Sequence, residues 1–167
     1  MVQTKVVVAV GCGLLAATVV TIAPKMFFIN TTSSLPVGLY VRIPGGEYRR
    51  GDYIVYEPDE TTKTLVSGYG WHDTEPHTFL KIVGGVAGDR YSVDEKTKFF
   101  TIEGNYAGQV YETDSKGNSL PQIRGEFTVE QGRILPIATN PRSFDGRYTG
   151  TIPITSIKAK VMPLLTK

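Results

Sequence analysis

The chain is almost without cysteine. Cys12 is the only one in 167 residues, so no intramolecular disulfide and no cysteine-based zinc site can form. Histidine is nearly as scarce, with only His72 and His77. Asp73 and Glu75 stand beside them, but Pro76 breaks regular geometry there and no metal-ligand spacing is met, so no metal is expected. Clustered basic charge is missing as well. Eighteen Lys and Arg against sixteen Asp and Glu leave a net charge of +2. The basic residues are scattered, which argues against nucleic acid as a partner. No tract has the periodicity of a long amphipathic soluble helix, and neither an internal repeat nor a low-complexity linker is visible.

One long uncharged apolar run is present. Residues Val6 to Pro24 carry no charge, and at about 1.5 Å per helical residue the run roughly matches a 30 Å hydrocarbon layer. The competing reading is a cleaved signal peptide, with Lys5 as its basic start and Ala23 near its end. Pro24 would then follow the cut, and the run is long for such a segment, so a retained anchor is favoured. Gly11-Cys12 has the look of a lipoprotein cleavage site, but most of the apolar run follows it, which argues against lipidation. Lys5 and the amino terminus favour a cytoplasmic tail, and a long following domain translocates despite Lys25. The expected organisation is a short cytoplasmic tail over residues 1–5, a transmembrane anchor over 6–24, and an outward-facing domain over 25–167.

That domain reads as mainly β. Met26 to Ile29 continues as an interfacial apolar patch, and Pro36 keeps the serine-rich segment after it out of regular helix. Strands are expected at Leu39–Ile43, Asp52–Tyr56, Phe79–Val83, Lys98–Ile102, Gln109–Tyr111, Glu126–Val129, Ile134–Ala138 and Ile157–Val161. Their β-branched and aromatic content and the turn signals between them carry that reading. Eighteen glycines and ten prolines fit that many turns. Asp114 to Ser119 reads as the exposed tip of a hairpin or insertion, and Arg50-Gly51-Asp52 as an ordinary turn.

Two segments carry chemistry. Asn30-Thr31-Thr32-Ser33-Ser34-Leu35-Pro36-Val37-Gly38-Leu39-Tyr40 places hydroxyls just beyond the apolar run. Phe79-Leu80-Lys81-Ile82-Val83-Gly84-Gly85-Val86-Ala87-Gly88-Asp89 sets a lone lysine in an apolar strand, with Phe79 and Val83 on its face. A serine is a weak nucleophile until an unprotonated base takes its proton. Burial lets a lysine serve, because desolvation disfavours the ammonium and lowers its pKa from about 10.4. An isolated strand lysine would more often snorkel to solvent or pair with a carboxylate. A third segment, Asn140-Pro141-Arg142-Ser143-Phe144-Asp145-Gly146-Arg147-Tyr148-Thr149-Gly150, taken alone is a polar turn with an Asp145/Arg147 ion pair. A Ser-His-Asp triad using His77 is also formally open, since triads are defined by geometry.

Together and in this order, the three segments resemble the type I signal peptidase superfamily of membrane-bound serine proteases. The first segment resembles its TraF-type conjugal transfer peptidases, and departs from the Ser-Met-x-Pro of general leader peptidases at Ser34-Leu35-Pro36. The resemblance implies a signal-peptidase-like β-rich catalytic domain, with Ser34 as nucleophile, Lys81 as general base and Asp145 as the acidic residue of the third segment. It further implies that Ser143 orients the lysine amine, that Arg147 pairs with the aspartate, and that Thr32 contributes to the oxyanion hole. Relatives often show Gly-Leu-Pro where this chain has Gly84-Gly85-Val86-Ala87, and the insert between Gly104 and Gly125 is compact. The implied activity is a Ser/Lys endopeptidase of the inner membrane that faces the periplasm, needs no cofactor, and matures an exported pilin precursor, with cyclisation of the product in some such systems. The alternatives are a general leader peptidase acting on signal-peptide-bearing precursors and a non-catalytic, membrane-tethered binding domain.

Overall fold

The computed structural model describes residues 26–71 and 78–167. The expected anchor over 6–24 and the His72 to His77 stretch lie outside the described residues. No described helix is long and apolar enough to cross a membrane.

Eleven strands among the described residues form two sheets. The larger one orders β1 (Phe27–Asn30), β2 (Gly38–Ile43), β11 (Ile157–Thr166), β3 (Tyr53–Tyr56), β4 (Phe79–Gly85), β9 (Arg133–Ile137) and β10 (Ile152–Pro153), with every pairing antiparallel. The smaller one orders β7 (Asn105–Gln109), β6 (Phe99–Ile102), β5 (Arg90–Val93) and β8 (Gly125–Thr128). β3 reads Tyr-Ile-Val-Tyr and lies centrally, so both its faces are covered. Ile54, Tyr56, Val83 and Ile134 form the core on one side, while Tyr40, Val55, Ala159 and Val161 form it on the other. Ile54 is directly opposite Lys81 in the β3–β4 register. Because side chains alternate along a strand, that places Lys81 on the face of Tyr56 and Val83. The second core gathers Tyr91, Phe100 and Val110 around Leu135 of β9 and Tyr148, which joins the two sheets.

The mainly β expectation holds, with local differences. Met26 to Ile29 was expected as an interfacial patch, but Phe27–Asn30 is an edge strand paired with β2. Arg90–Val93 is a strand that the reading did not include. The strand expected at Gln109–Tyr111 lies earlier, at Asn105–Gln109. Ile102 pairs with Asn105, and Glu103 and Gly104 between them both have positive φ, 51° and 75°, the conformation of a tight two-residue hairpin turn. Two α-helices also lie wholly within the described residues. α1 (Glu60–Gly68) starts at Asp59, whose carboxylate accepts the Thr62 N–H at 2.8 Å, and buries only Val66. A nine-residue helix with one buried side chain shows no apolar stripe, which is why periodicity does not reveal it. α2 is the single turn Gly146–Thr149.

Candidate active site

The loop after β1 is shaped from within by Asn30, a buried polar residue. Its Nδ2 donates to the carbonyls of Thr32, Leu35 and Pro36 at 3.0, 3.0 and 3.1 Å. Its Oδ1 accepts from the Thr32 N–H at 3.2 Å and the Thr32 hydroxyl at 3.0 Å. Leu35 is buried below the loop, and the Tyr40 hydroxyl donates to the Pro36 carbonyl at 2.7 Å. Ser34 is thereby presented on a constrained turn. The third segment ties on from outside, the Asn140 N–H donating to the Ser34 carbonyl at 3.3 Å and Asn140 Nδ2 to the Ser33 carbonyl at 3.0 Å.

Lys81 comes up from β4 beneath Ser34 and is 4% exposed. Its Nζ lies 2.9 Å from Ser34 Oγ and 2.7 Å from Ser143 Oγ, and Ser143 Oγ donates to Ser34 Oγ at 3.0 Å. Three polar atoms thus close a triangle in which the amine has no carboxylate partner among the described residues. Nζ also sits 5.7 Å from the centroid of the Phe79 ring. Burial pushes the Lys81 amine down to about 8, with Asp145 acting upward and Arg147 downward. A buried lysine usually pairs with an acid or reaches out to water. Lys81 does neither among the described residues.

Behind the triangle lies a buried ion pair. Arg147 Nε and Nη2 meet Asp145 Oδ1 and Oδ2, each at 2.8 Å, and both side chains are almost wholly inaccessible. Asp145 also caps α2 through the Arg147 N–H and accepts the Ala138 N–H at 2.9 Å. Burial acts against the Arg147 charge, but the Asp145 hydrogen bond and charge outweigh it and hold the guanidinium above its ordinary value. The remaining guanidinium N–H groups reach the carbonyls of Asn140, Pro141 and Ser143 at 2.8, 2.9 and 3.3 Å. The pair therefore holds the loop that carries Ser143. Gly146 makes this packing possible, since a Cβ there would lie 2.5 Å from the Pro136 carbonyl oxygen.

Of the residues singled out from sequence, Ser34, Lys81 and Ser143 touch one another, and Asp145 and Arg147 bond to each other behind them. Thr32 stands in the Ser34 loop with its one hydroxyl proton given to Asn30. The Gly88-Asp89 turn is closed despite its unusual lead-in, because Asp89 Oδ2 accepts the Val86 N–H at 2.8 Å and Arg50 Nε at 2.6 Å. Two organising residues were not assigned from sequence, Asn30 and Asn140. The only signal for Asn30 is an asparagine before two threonines, the composition of a side-chain-closed turn. Among the described residues, no group of His, Cys, Asp and Glu could hold a metal ion.

A cleft of about 800 Å³ opens on Ser34 and Lys81, walled by Phe28, Val66, Trp71, Tyr111 and Phe144. Part of that wall comes from the segment expected to be an exposed tip. Asp114 Oδ2 accepts Trp71 Nε1 at 2.7 Å, the Tyr69 hydroxyl donates to the Ser119 carbonyl at 2.5 Å, and the Trp71 ring lies 5.1 Å from that of Phe144. The end of α1 and the Asp114–Ser119 turn are thus clasped together along the cleft that opens on Ser34.

Comparison with known proteins finds a family, curated relatives and solved structures that match. The family model described as signal peptidase, peptidase S26 matches residues 2–165. Two plasmid transfer proteins TraF of Escherichia coli are similar. One is 25% identical over 149 residues, covering 83% of this chain and 82% of the relative, and the other is 26% identical over 146 residues with the same coverage. A crystal structure of a signal peptidase I from Enterococcus faecalis covers 71% of this chain and all of its own, at 18% identity and a TM-score of 0.41.

Proposed function

The chain belongs to the signal peptidase S26 family, and from that premise we propose that it is a membrane-anchored serine endopeptidase with a Ser34/Lys81 dyad that matures an exported pilin precursor. The observation that carries the chemistry is a buried amine, without a carboxylate partner among the described residues, 2.9 Å from a serine hydroxyl. In its neutral form Lys81 has a lone pair to take the Ser34 proton while one of its N–H bonds holds Ser143. Ser34 Oγ then attacks the scissile carbonyl carbon.

The oxyanion that forms needs donors already in place. The Ser34 N–H is bonded to no group among the described residues and is the first such donor. Thr32 can add a second only by releasing Asn30. Collapse of the intermediate breaks the peptide C–N bond, and the Lys81 ammonium returns its proton to the departing amine. Water, deprotonated by Lys81, then hydrolyses the ester and frees Ser34. An amine such as the substrate's own terminus can take the water's place, joining the chain ends instead. Asp145 and Arg147 act at one remove, holding the loop that presents Ser143.

The pilin precursor is the substrate that likeness to the TraF proteins supports, and the membrane placement rests on the apolar run over 6–24. The test is co-expression of wild type or Ser34→Ala with a tagged pilin precursor, read by product mass. Shortening by wild type alone supports the reading, and a further loss of one water reports cyclisation. Equal processing by both proteins removes Ser34 as nucleophile and favours a non-catalytic binding role. Processing of unrelated signal-peptide-bearing precursors as readily as the pilin would mark a general leader peptidase.

A further inference from the structure

Next to Ser143 stands Arg142, a cation that pairs with no carboxylate among the described residues. We propose that Arg142 is a substrate-binding residue that takes a carboxylate of the precursor in the active-site cleft. The inference rests on the peptidase reading above and adds an acidic group near the scissile bond to what the enzyme recognises.

Position comes first. Arg142 lines the same cleft as Ser34 and Lys81, and it directly precedes Ser143, whose hydroxyl is 3.0 Å from Ser34 Oγ. Its N–H donates to Asn140 Oδ1 at 2.8 Å, while Asn140 Nδ2 holds the Ser33 carbonyl. The backbone that carries the guanidinium is therefore tied to the nucleophile loop. An extended peptide advances about 3.3 Å per residue, so a group meeting Arg142 belongs to a residue within a few positions of the attacked carbonyl.

The guanidinium is also held ready. It lies 4.4 Å from the centroid of the Tyr111 ring. Tyr111 is itself fixed, its N–H donating to the Tyr148 hydroxyl at 3.2 Å and its carbonyl accepting Gln122 Nε2 at 2.9 Å. This ring contact leaves the guanidinium N–H edge without a hydrogen-bond partner among the described residues. That edge is the part that grips a carboxylate with two parallel hydrogen bonds.

Finally, the acids beside it among the described residues are committed elsewhere. Glu112 pairs with Lys98 at 3.5 Å. Asp145 is locked to Arg147. Asp114 lines the cleft too, but its oxygens accept N–H bonds from Trp71, Lys116 and Asn118. Among the described residues no carboxylate pairs with Arg142. An incoming carboxylate would supply the missing partner, either as an Asp or Glu side chain or as the terminal carboxylate of a short departing tail.

The test uses the full chain in detergent micelles and a mixed-sequence synthetic peptide library, in one arm with free and in the other with amidated C-termini. Cleavage sites are read by mass spectrometry for wild type, Ser34→Ala, Arg142→Ala, Arg142→Lys and Arg142→Glu. Expected is Ser34-dependent cleavage enriched for Asp or Glu at one fixed position, which identifies a side-chain carboxylate. Cleavage that needs the free C-terminus identifies the terminal one. A hydrogen-bonded charged partner is worth roughly tenfold to a hundredfold. Arg142→Ala should therefore lower kcat/KM on an acidic peptide by that factor relative to its amide counterpart, through KM. Arg142→Lys should keep part of the preference, and Arg142→Glu should turn it toward Lys or Arg. Ser34-dependent cleavage with no acidic preference, or with a preference that Arg142→Ala leaves intact, overturns the Arg142 proposal alone. No Ser34-dependent cleavage of any peptide overturns the peptidase reading and this proposal with it.

Discussion

Replacing Lys81 by Met should abolish processing and at the same time make the protein more stable at neutral pH. The second effect follows from the first site property described, an amine whose pKa in the folded protein is pushed from 10.5 down to about 8 by burial. Below about pH 8 the folded protein must carry a charge in a place that disfavours it, whereas the unfolded chain carries the same charge in water. At about 1.36 kcal/mol per pH unit, that gap costs the folded state about 3 kcal/mol, in full below pH 8. Between about 8 and 10.5 the unfolded chain binds more protons than the folded one, so stability rises with pH. Above about 10.5 the penalty is gone. Met has similar length and no charge, and it gives up two hydrogen bonds worth about 1 kcal/mol each. Ser34 and Ser143 keep each other as partners at 3.0 Å. The expected net gain for Lys81→Met at pH 7 is about 1 kcal/mol, reversing to a loss by pH 10.5. Urea unfolding of both proteins at pH 7, 9 and 10.5 measures it. A variant that is less stable than wild type at pH 7, with a difference that does not change with pH, would refute the idea that Lys81 is held against its charge.

On the proposed mechanism the same pKa sets the rate. Only the neutral amine can take the Ser34 proton, so kcat/KM should climb about tenfold per pH unit below about 8 and level off above it, and a flat profile between pH 6 and 9 would exclude Lys81 as the base. Asp145→Ala should destabilise the protein by about 3–5 kcal/mol, because it strands a buried Arg147 and strips the cap from α2. Denaturant midpoints measure this, and a change below about 1 kcal/mol would mean that the ion pair is not what holds the Ser143 loop.

How much could be read in advance differs from element to element. Six of the eight strands anticipated from β-branched and aromatic runs lie within two residues of their expected bounds, and Ile157–Val161 is the start of a longer one, Ile157–Thr166. Those runs alternate or cluster strongly enough to declare themselves. β1 did not, because four residues with Phe27 and Ile29 exposed look the same whether they face a bilayer or pair along an edge. Pairing with β2 decides the matter, and pairing is a long-range contact. α1 carried its local start signals, Asp59 followed by Glu60, but too few buried positions to show a period.

The lysine in an apolar strand and the serine after an apolar run could be picked out one at a time, and their grouping came from likeness to a family. What linear order could not supply is distance. Ser34, Lys81 and Ser143 are separated by 47 and 62 residues, and only the β3–β4 register and the Asn140 bonds bring their polar atoms within 3 Å. Whether Lys81 was buried or snorkelling could not be decided from its neighbours, since burial depends on Ile54, Tyr56 and Val83 arriving from elsewhere on the same face. The same holds for Arg142. Its residue type announces a charge, but whether a partner already satisfies that charge depends on where Glu112, Asp114 and Asp145 are spent. Local chemistry is written along the chain, while desolvation and charge balance are sums over neighbours that only folding brings together.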